Sequence, residues 1–297
     1  VLSDELNHAS IIDACRLSRA DTVVYRHRDM DHLAALLGDS RRPTVVVTDS
    51  VFSMDGDVAP IVELSDLCRR HRALLVLDEA HAVLGPNLDQ VDLEDLDLVR
   101  VGTLSKTLGS LGGFVASSRS VIDLLVNVAR PYIFTTALAP ADAAAAMAAL
   151  EIVQSPEGDA LKERLTRYVS LVSPGHPSPI LPIVLGSESS AVSASKALLD
   201  RGIWVPAVRP PTVPAGSSRL RVALSAGHTT AQVEALVDGL TALGLRPSPR
   251  IASVNDSRNG GGHFGVLVRG PAESGPAEDA PDRLVIVVGT RTGVGKT

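Results

Sequence analysis

Two stretches decide the fold: ALLVLDEAH at residues 73–81 and VRVGTLSKTLGSLGG at residues 99–113. Each contains a short run of apolar or β-branched residues, as expected for strands buried on both faces of a parallel sheet. The first run ends in Asp78, and the second leads into a glycine-rich turn that carries Lys106. Ligands of open α/β sheets bind at the carboxyl ends of the strands, so both side chains are candidates for one site.

Short strands alternate with amphipathic helices on both sides of these stretches. The pattern predicts strands at 22–25, 44–48, 73–77, 98–101 and 113–116, and a helix at 60–71 that starts with Pro60. This alternation favours an α/β fold with a parallel sheet. After an alanine-rich helix at 140–154, the pattern restarts with helices at 160–171, 191–201 and 230–243 and strands at 180–185 and 220–225. Thr229 and Gln232 have capping-box spacing for the last helix.

These patterns divide the chain into four parts. We predict a partial large domain at 1–154, a small C-terminal α/β domain at 155–245, a proline- and glycine-rich linker at 246–283, and the start of another domain at 284–297.

Composition excludes several classes of protein. Of 297 residues, 45% are hydrophobic, so the whole chain is not disordered. The net charge of −6 and the lack of a Lys/Arg block argue against a nucleic-acid or anionic-membrane surface. Cys15 and Cys68 are isolated, which predicts neither a disulfide framework nor a metal site and suits a reducing, cytoplasmic location. We expect no transmembrane segment and no signal peptide. Because the chain starts at Val1 within a patterned segment, we expect it to be truncated.

The four lysines differ in their surroundings. Lys162 and Lys196 lie in predicted helices, where Lys162 is expected to be solvated, and Lys296 belongs to a terminal glycine motif. Lys106 alone follows a buried strand, although a plain surface lysine is the alternative. Asp78 and His81 would gather at the same sheet edge, where their alternatives are a helix cap and an ordinary loop histidine.

Pyridoxal phosphate requires these residue types together. A lysine holds it as a Schiff base, and a carboxylate pairs with its pyridinium nitrogen. At ~4 Å and an effective dielectric constant of ~20, that pairing is worth on the order of 4 kcal/mol. This corresponds to roughly three pKa units, enough to keep the nitrogen protonated at neutral pH. Thr103 and Ser105 could bind the phosphate, or serve only as turn residues.

Six ordered segments resemble the α-oxoamine synthases, a family of fold-type I pyridoxal-phosphate enzymes. They are SDELNHASIIDA, VFSMDGDVAPI, LVLDEAH, GTLSKTLGS, RPPTVPAG and SRLRVALS, within residues 1–245. The resemblance implies an incomplete large domain of the aspartate aminotransferase type, a smaller α/β domain and a homodimer. It also implies decarboxylative condensation of an amino acid with an acyl thioester of CoA or acyl carrier protein. The likeness is greatest to members that join L-alanine to a pimeloyl group in biotin biosynthesis.

The resemblance also implies roles for residues in the cofactor site. Lys106 would be the Schiff-base lysine and the base that removes the α-proton. Asp78 would pair with the pyridinium nitrogen, and His81 would donate to the phenolic oxygen. His8 would stack on the pyridine face. Two further contacts with the cofactor are implied for Ser53 and Thr103.

Other residues would hold the substrate. Arg221 resembles the arginine that clamps the amino acid carboxylate, a task that suits a planar bidentate donor. Thr212 resembles a substrate contact, and Thr135 and Thr136 would reach the phosphate of the partner subunit. The stretch at 82–90 is shorter and poorer in glycine than the loop usual in the family, and the long segment that the family carries before its HAS motif is missing.

The terminal sequence LVIVVGTRTGVGKT, residues 284–297, predicts a strand followed by a phosphate-binding loop. Its ATP-binding residues would be Gly289, Gly295, Lys296 and Thr297. The motif resembles the start of dethiobiotin synthetases, which predicts a two-enzyme fusion. The alternatives are another α-oxoamine synthase such as 2-amino-3-ketobutyrate ligase, an ATP-dependent ligase named for its C-terminal part, and an inactive fragment that serves as an interaction surface.

Overall fold

The computed structural model describes residues 1–82, 91 and 95–246, together with the backbone of 283–288. These residues form two compact units. The larger contains Val1–Val51, Ala59–Ser155 and the strand at Arg283–Val288, and the smaller contains Phe52–Val58 and the described residues from Pro156 on. The predicted large domain at 1–154 includes residues 52–58, and the four-part division of the chain stays a prediction.

The larger unit is built on a seven-stranded sheet with the order β10-β6-β5-β4-β3-β1-β2. In chain order its strands are β1 Leu2–Asp4, β2 Val23–Tyr25, β3 Val45–Asp49, β4 Leu74–Asp78, β5 Leu98–Thr103, β6 Gly113–Ser118 and β10 Arg283–Val288. Its helices are α1 Ala9–Ser18, α2 Met30–Asp39, α3 Ile61–His71, α4 Arg119–Val128, α5 Arg130–Ile133 and α6 Pro140–Val153. The predicted strands are therefore present, with shifts of one or two residues at their ends. Pro60 is the N-cap of α3 rather than its first residue.

The sheet is mixed, so the expectation of a parallel sheet is wrong at one edge. Strands β1 to β5 pair in parallel, but β6 is antiparallel to β5, and β10 is antiparallel to β6. The physical reason lies in the link between β5 and β6, a short turn that returns the chain directly. A parallel partner would have required a longer crossover connection.

Alternate residues of the central strands serve two different cores. Val46 and Leu75 pack with Leu33 and Leu64 from α2 and α3, whereas Val47 packs with Ile11 and Cys15 of α1. Successive side chains of a strand point to opposite faces, so these two helix layers cover opposite sides of the sheet. Cys15 and Cys68 are both free and buried. Covered on both faces, the sheet leaves its strand ends as the place for polar side chains.

The smaller unit has a three-stranded antiparallel sheet with the order β7-β9-β8. Its elements are α7 Pro156–Val172, β7 Ile180–Gly186, α8 Glu188–Leu199, β8 Ala207–Val208, β9 Ser218–Ala223 and α9 Thr230–Ala242. The capping box of α9 is confirmed: Thr229 and Gln232 exchange hydrogen bonds of 2.8 and 3.3 Å. The prediction that Lys162 is solvated is wrong. Its side chain is 9% exposed, and its ammonium lies 3.0 Å from Asp159, because the aliphatic stem is buried in the unit.

Candidate active site

Strand β4 ends in polar residues with different surroundings. Asp78 is half-buried, and its carboxylate accepts a hydrogen bond of 2.9 Å from the backbone N–H of Ala80. Glu79 is buried and accepts two hydrogen bonds, of 2.6 and 2.8 Å, from Arg100 on β5. This bidentate pair occupies both oxygens of Glu79 and links two strands. Asp78 is therefore the carboxylate of this pair of residues that remains available to a ligand.

The lysine and the histidine singled out in the sequence lie together. The Lys106 Nζ is 2.9 Å from the His81 Nε2. Lys106 is carried by the turn between β5 and β6, whose ends are joined by a 2.9 Å hydrogen bond from the Leu104 N–H to the Gly112 carbonyl. His81 follows β4 by three residues. Two adjacent strand ends therefore bring an amine and an imidazole into hydrogen-bonding distance.

A second carboxylate at this edge, Asp49, was missed in the sequence. It ends β3 and lies in register with Asp78 on β4. The pKa of Asp49 is raised to about 7, mainly by burial and then by the charge of Asp78, against the lowering effects of the His8 N–H and the charge of Lys106. The sequence did contain a signal, because VVVTD at 45–49 has the same pattern as LLVLD at 74–78. Asp78 and Lys106 thus both act on one carboxyl group at the same sheet edge.

His8 is fixed through its backbone. Its N–H donates to the Asp49 carboxylate at 2.7 Å, and its ring nitrogen Nδ1 accepts from the Ser10 N–H at 3.2 Å as the N-cap of α1. Next to it, the Asn7 amide donates to the Val47 carbonyl and accepts from the Asp49 N–H, both at 2.9 Å. The side chain of His8 is exposed at the start of the helix, so its ring is accessible while its backbone is held.

Thr103 lies at the end of β5, and its hydroxyl has local partners. It contacts the Ser105 hydroxyl at 2.7 Å and donates to the Gly112 carbonyl at 3.2 Å. Both turn residues, Thr103 and Ser105, are thus present at the strand end that carries Lys106. Thr135 and Thr136 are exposed on the larger unit.

The remaining predicted residues belong to the smaller unit. The Arg221 Nε on β9 donates to the Ser53 carbonyl at 2.5 Å, and burial lowers the pKa of the Arg221 guanidinium. Thr212 is exposed and follows a cis peptide bond between Pro210 and Pro211. Arg221 and Ser53 are therefore brought together, and Thr212 lies in a separate loop.

Some predicted features lie outside the described residues. These are the ATP-binding residues Gly289, Gly295, Lys296 and Thr297, and all of the stretch at 82–90 except Ala82. Within the part of the chain that is described, no group of three or more His, Cys, Asp or Glu side chains has the arrangement of a metal site. No helix in that part combines the length and the apolar character needed to cross a membrane.

The family follows from comparison with known proteins. The model of aminotransferases of class I and II matches residues 1–240. The chain belongs to this family. As a class I and II aminotransferase-family member it has the fold-type I architecture of pyridoxal-phosphate transferases, which confirms the predicted fold class.

Comparison with individual proteins of the family identifies sequences that are about half identical to this chain. The chain is 49% identical over 269 residues to the 8-amino-7-oxononanoate synthase of Anaeromyxobacter dehalogenans strain 2CP-C, and 49% identical over 260 residues to that of Bordetella petrii. These alignments cover 84% and 82% of this chain and 67% and 66% of the relatives. The chain thus spans about two thirds of the length of the curated relatives it matches.

Two solved structures share the fold. The serine palmitoyltransferase from S. paucimobilis with a bound PLP–myriocin aldimine superposes with a TM-score of 0.76 at 32% identity, covering 82% of this chain and 66% of that one. The 8-amino-7-oxononanoate synthase from Francisella tularensis superposes with a TM-score of 0.66 at 27% identity, covering 82% and 75%.

Proposed function

We propose that this chain carries the lysine-bearing part of a pyridoxal-phosphate-dependent 8-amino-7-oxononanoate synthase. The enzyme condenses L-alanine with pimeloyl-CoA or a pimeloyl carrier protein and releases CO2, a step of biotin biosynthesis. The observation that carries the proposal is the 2.9 Å contact between Lys106 and His81 at a sheet edge that also bears Asp78 and Asp49. Relatives of that name at about half identity support the substrate assignment.

The residues at the sheet edge fit the cofactor by their chemistry. Pyridoxal phosphate needs a primary amine, a carboxylate for its ring nitrogen and donors for its oxygens. Lys106 supplies the amine, and Asp78 supplies the carboxylate that Glu79 cannot, because both Glu79 oxygens are held by Arg100. His81 and the hydroxyls of Thr103 and Ser105 are the neighbouring donors.

The side chains at this sheet edge have distinct roles in the proposed reaction: some move or hold a proton, and others orient a reacting group. When bound, pyridoxal phosphate supplies an electron-withdrawing ring that stabilises negative charge at the amino acid α-carbon. Lys106 would hold the cofactor, and its amine, once the amino acid substrate has displaced it, would remove the α-proton, a task for which a base needs a pKa near the working pH. His81, 2.9 Å from the Lys106 nitrogen, orients that amine. Asp78 would keep the ring nitrogen protonated, and His8 would stack on the ring.

For the carboxylate of the amino acid the proposal assigns Arg221, which would clamp it with a bidentate pair of hydrogen bonds. Ser53 is assigned to the cofactor and Thr212 to the substrate. The enzyme acts as a homodimer in the cytoplasm, with Thr135 and Thr136 reaching the partner's phosphate site. The glycine motif at 284–297 supports a further proposal, that an ATP-dependent dethiobiotin synthetase begins there.

The test compares Lys106→Ala with Lys196→Ala, a control at an exposed lysine on α8. With pyridoxal phosphate added, the unsubstituted protein and Lys196→Ala are expected to gain the visible absorption band of lysine-attached cofactor. Lys106→Ala is expected to lack the band and to lose at least about a hundredfold in kcat. A band that survives in Lys106→Ala would contradict the assignment. Assays with alanine, glycine and serine against pimeloyl-CoA decide the substrate, since a preference for glycine favours 2-amino-3-ketobutyrate ligase.

A further inference from the structure

The segment Phe52–Val58, called here the 52–58 turn, is held against β9 by two arginines of that strand. We propose that Asp55 and Arg219 are positioning residues that orient Arg221 for the carboxylate of the amino acid substrate. The inference rests on the proposed function, because it takes the binding of a carboxylate by Arg221 from there. Beyond the proposed function, it identifies the residues that orient the Arg221 side chain and the nitrogens through which Arg221 would bind the carboxylate.

The first link is a buried ion pair. Arg219 contacts Asp55 through its Nη1, and the side chains of the two residues are 6% and 15% exposed. The same Nη1 lies 3.4 Å from the Met54 carbonyl, and the Arg219 Nε donates to the Ser217 carbonyl at 3.0 Å. A guanidinium with this many partners is held in one orientation. Arg219 therefore fixes the 52–58 turn to the start of β9.

The second link joins this turn to Arg221. Residues 219 and 221 lie two apart on β9, so their side chains point to the same face of the strand. The Arg221 Nε donates to the Ser53 carbonyl at 2.5 Å. Ser53 lies two residues before Asp55 in the turn. The orientation of this carbonyl, and through it the plane of the Arg221 guanidinium, depends on where the Asp55–Arg219 pair holds the turn.

The turn itself is internally fixed. The Gly56 N–H donates to the Phe52 carbonyl at 2.8 Å, and the Phe52 N–H donates to the Asp57 carbonyl at 3.0 Å. The Gly56 carbonyl accepts a 2.6 Å hydrogen bond from the buried Ser178 hydroxyl. With both ends of the turn bonded, a change at Asp55 is transmitted to the Ser53 carbonyl rather than absorbed by a loose loop.

The geometry also determines how a carboxylate would approach. A guanidinium has five N–H groups, and a bidentate carboxylate uses either two Nη nitrogens or the Nε with one Nη. Ser53 occupies the Arg221 Nε. The carboxylate therefore binds end-on, through the two Nη nitrogens, and loses affinity if the guanidinium plane turns away.

The experiment measures L-alanine binding by calorimetry to the protein loaded with pyridoxal phosphate. The central variant is Asp55→Asn, which removes the charge with little change in volume. The control is Asp159→Asn, which breaks the ion pair of another buried cation, Lys162, in the same unit. We expect Asp55→Asn to raise the Kd for L-alanine by about tenfold to a hundredfold, with the cofactor band and the KM for the acyl thioester unchanged. Asp159→Asn is expected to leave the Kd for L-alanine unchanged.

L-alaninamide, which lacks the carboxylate, separates positioning from general damage. Asp55→Asn is expected to leave its Kd unchanged. Equal losses for both ligands, or a Kd for L-alanine that matches that of Asp159→Asn, would overturn the proposal. If Asp55→Asn does not fold, Arg219→Lys and Arg219→Met take its place. Arg219→Lys keeps the positive charge, so this variant is expected to bind L-alanine more tightly than Arg219→Met does. Equal affinities of the two variants would again overturn the proposal.

The two levels of the argument fail differently. If Arg221→Ala binds L-alanine as tightly as the unsubstituted protein does, the proposed function of Arg221 is wrong, and the positioning role falls with it. If Arg221→Ala loses L-alanine and Asp55→Asn does not, only the positioning role of Asp55 and Arg219 is wrong.

Discussion

Asp49, the residue that was missed in the sequence, differs chemically from its neighbour Asp78. Both end a strand and face each other across the pair β3–β4, but Asp49 is 4% exposed and Asp78 is half-buried. A carboxylate removed from water is disfavoured in its charged form. Ionisation of Asp49 therefore destabilises the folded protein, whereas Asp78 is the better hydrogen-bond acceptor for a cofactor.

This cost predicts how stability depends on pH. Burial raises the pKa of Asp49 in the folded protein to about 7, from the ordinary aspartate value of 3.8. Between these pH values the folded protein holds a proton that the unfolded chain releases, so the free energy of unfolding falls as pH rises. The full penalty is present above about pH 7 and is on the order of 4 kcal/mol. It is absent below about pH 4. Burial is the main cause, with Asp78 and Asp4 opposing Lys106 and the His8 N–H.

Replacing Asp49 by asparagine is expected to remove this slope while the amide oxygen still accepts the His8 N–H. Urea unfolding of the apoprotein at several pH values between about 4 and 7 measures how the free energy of unfolding depends on pH. Asp39→Asn, at an exposed site on α2, is the control. A slope that is the same in Asp49→Asn and in the control would show that Asp49 is already ionised in this range.

At the scale of elements, the 52–58 turn depends on one glycine. Gly56 has a φ of +68°, and a Cβ there would lie 1.8 Å from the backbone oxygen of Ile180. Gly175, in the same unit, has a φ of +77° but open space around it. Gly175→Ala therefore measures the cost of the left-handed backbone alone, about 1–2 kcal/mol. Gly56→Ala adds a collision with backbone and is expected to cost at least about 1–3 kcal/mol more. Urea denaturation compares them, and equal losses would mean that the turn shifts freely.

Elements also show what the sequence could predict. Strands β3, β4 and β5 were found because their apolar runs are continuous, and the Lys106–His81 contact followed from both residues lying just beyond strand ends. The antiparallel direction of β6 relative to β5 could not be predicted from the sequence, because an apolar run has the same pattern in either direction. The hydrogen bonds of the 52–58 turn could not be predicted for a similar reason: its partners Arg219 and Arg221 are more than 160 residues away along the chain.

At the scale of the whole molecule, the two units predict a localised response to the cofactor. Lys106, His81, Asp78 and Asp49 all belong to the larger unit. A ligand that binds only the folded state stabilises it by RT ln(1 + [L]/Kd), about 2.7 kcal/mol when free ligand is 100 times Kd. Pyridoxal phosphate is expected to protect backbone amides of β3, β4 and β5 by this amount in hydrogen exchange. Amides of β7 and β9 in the smaller unit are expected to gain less. Lys106→Ala, which loses the attachment, is the control and should show a smaller gain in the larger unit. Equal protection of both units, or full protection in Lys106→Ala, would mean that the cofactor site is not anchored where Lys106 and His81 meet.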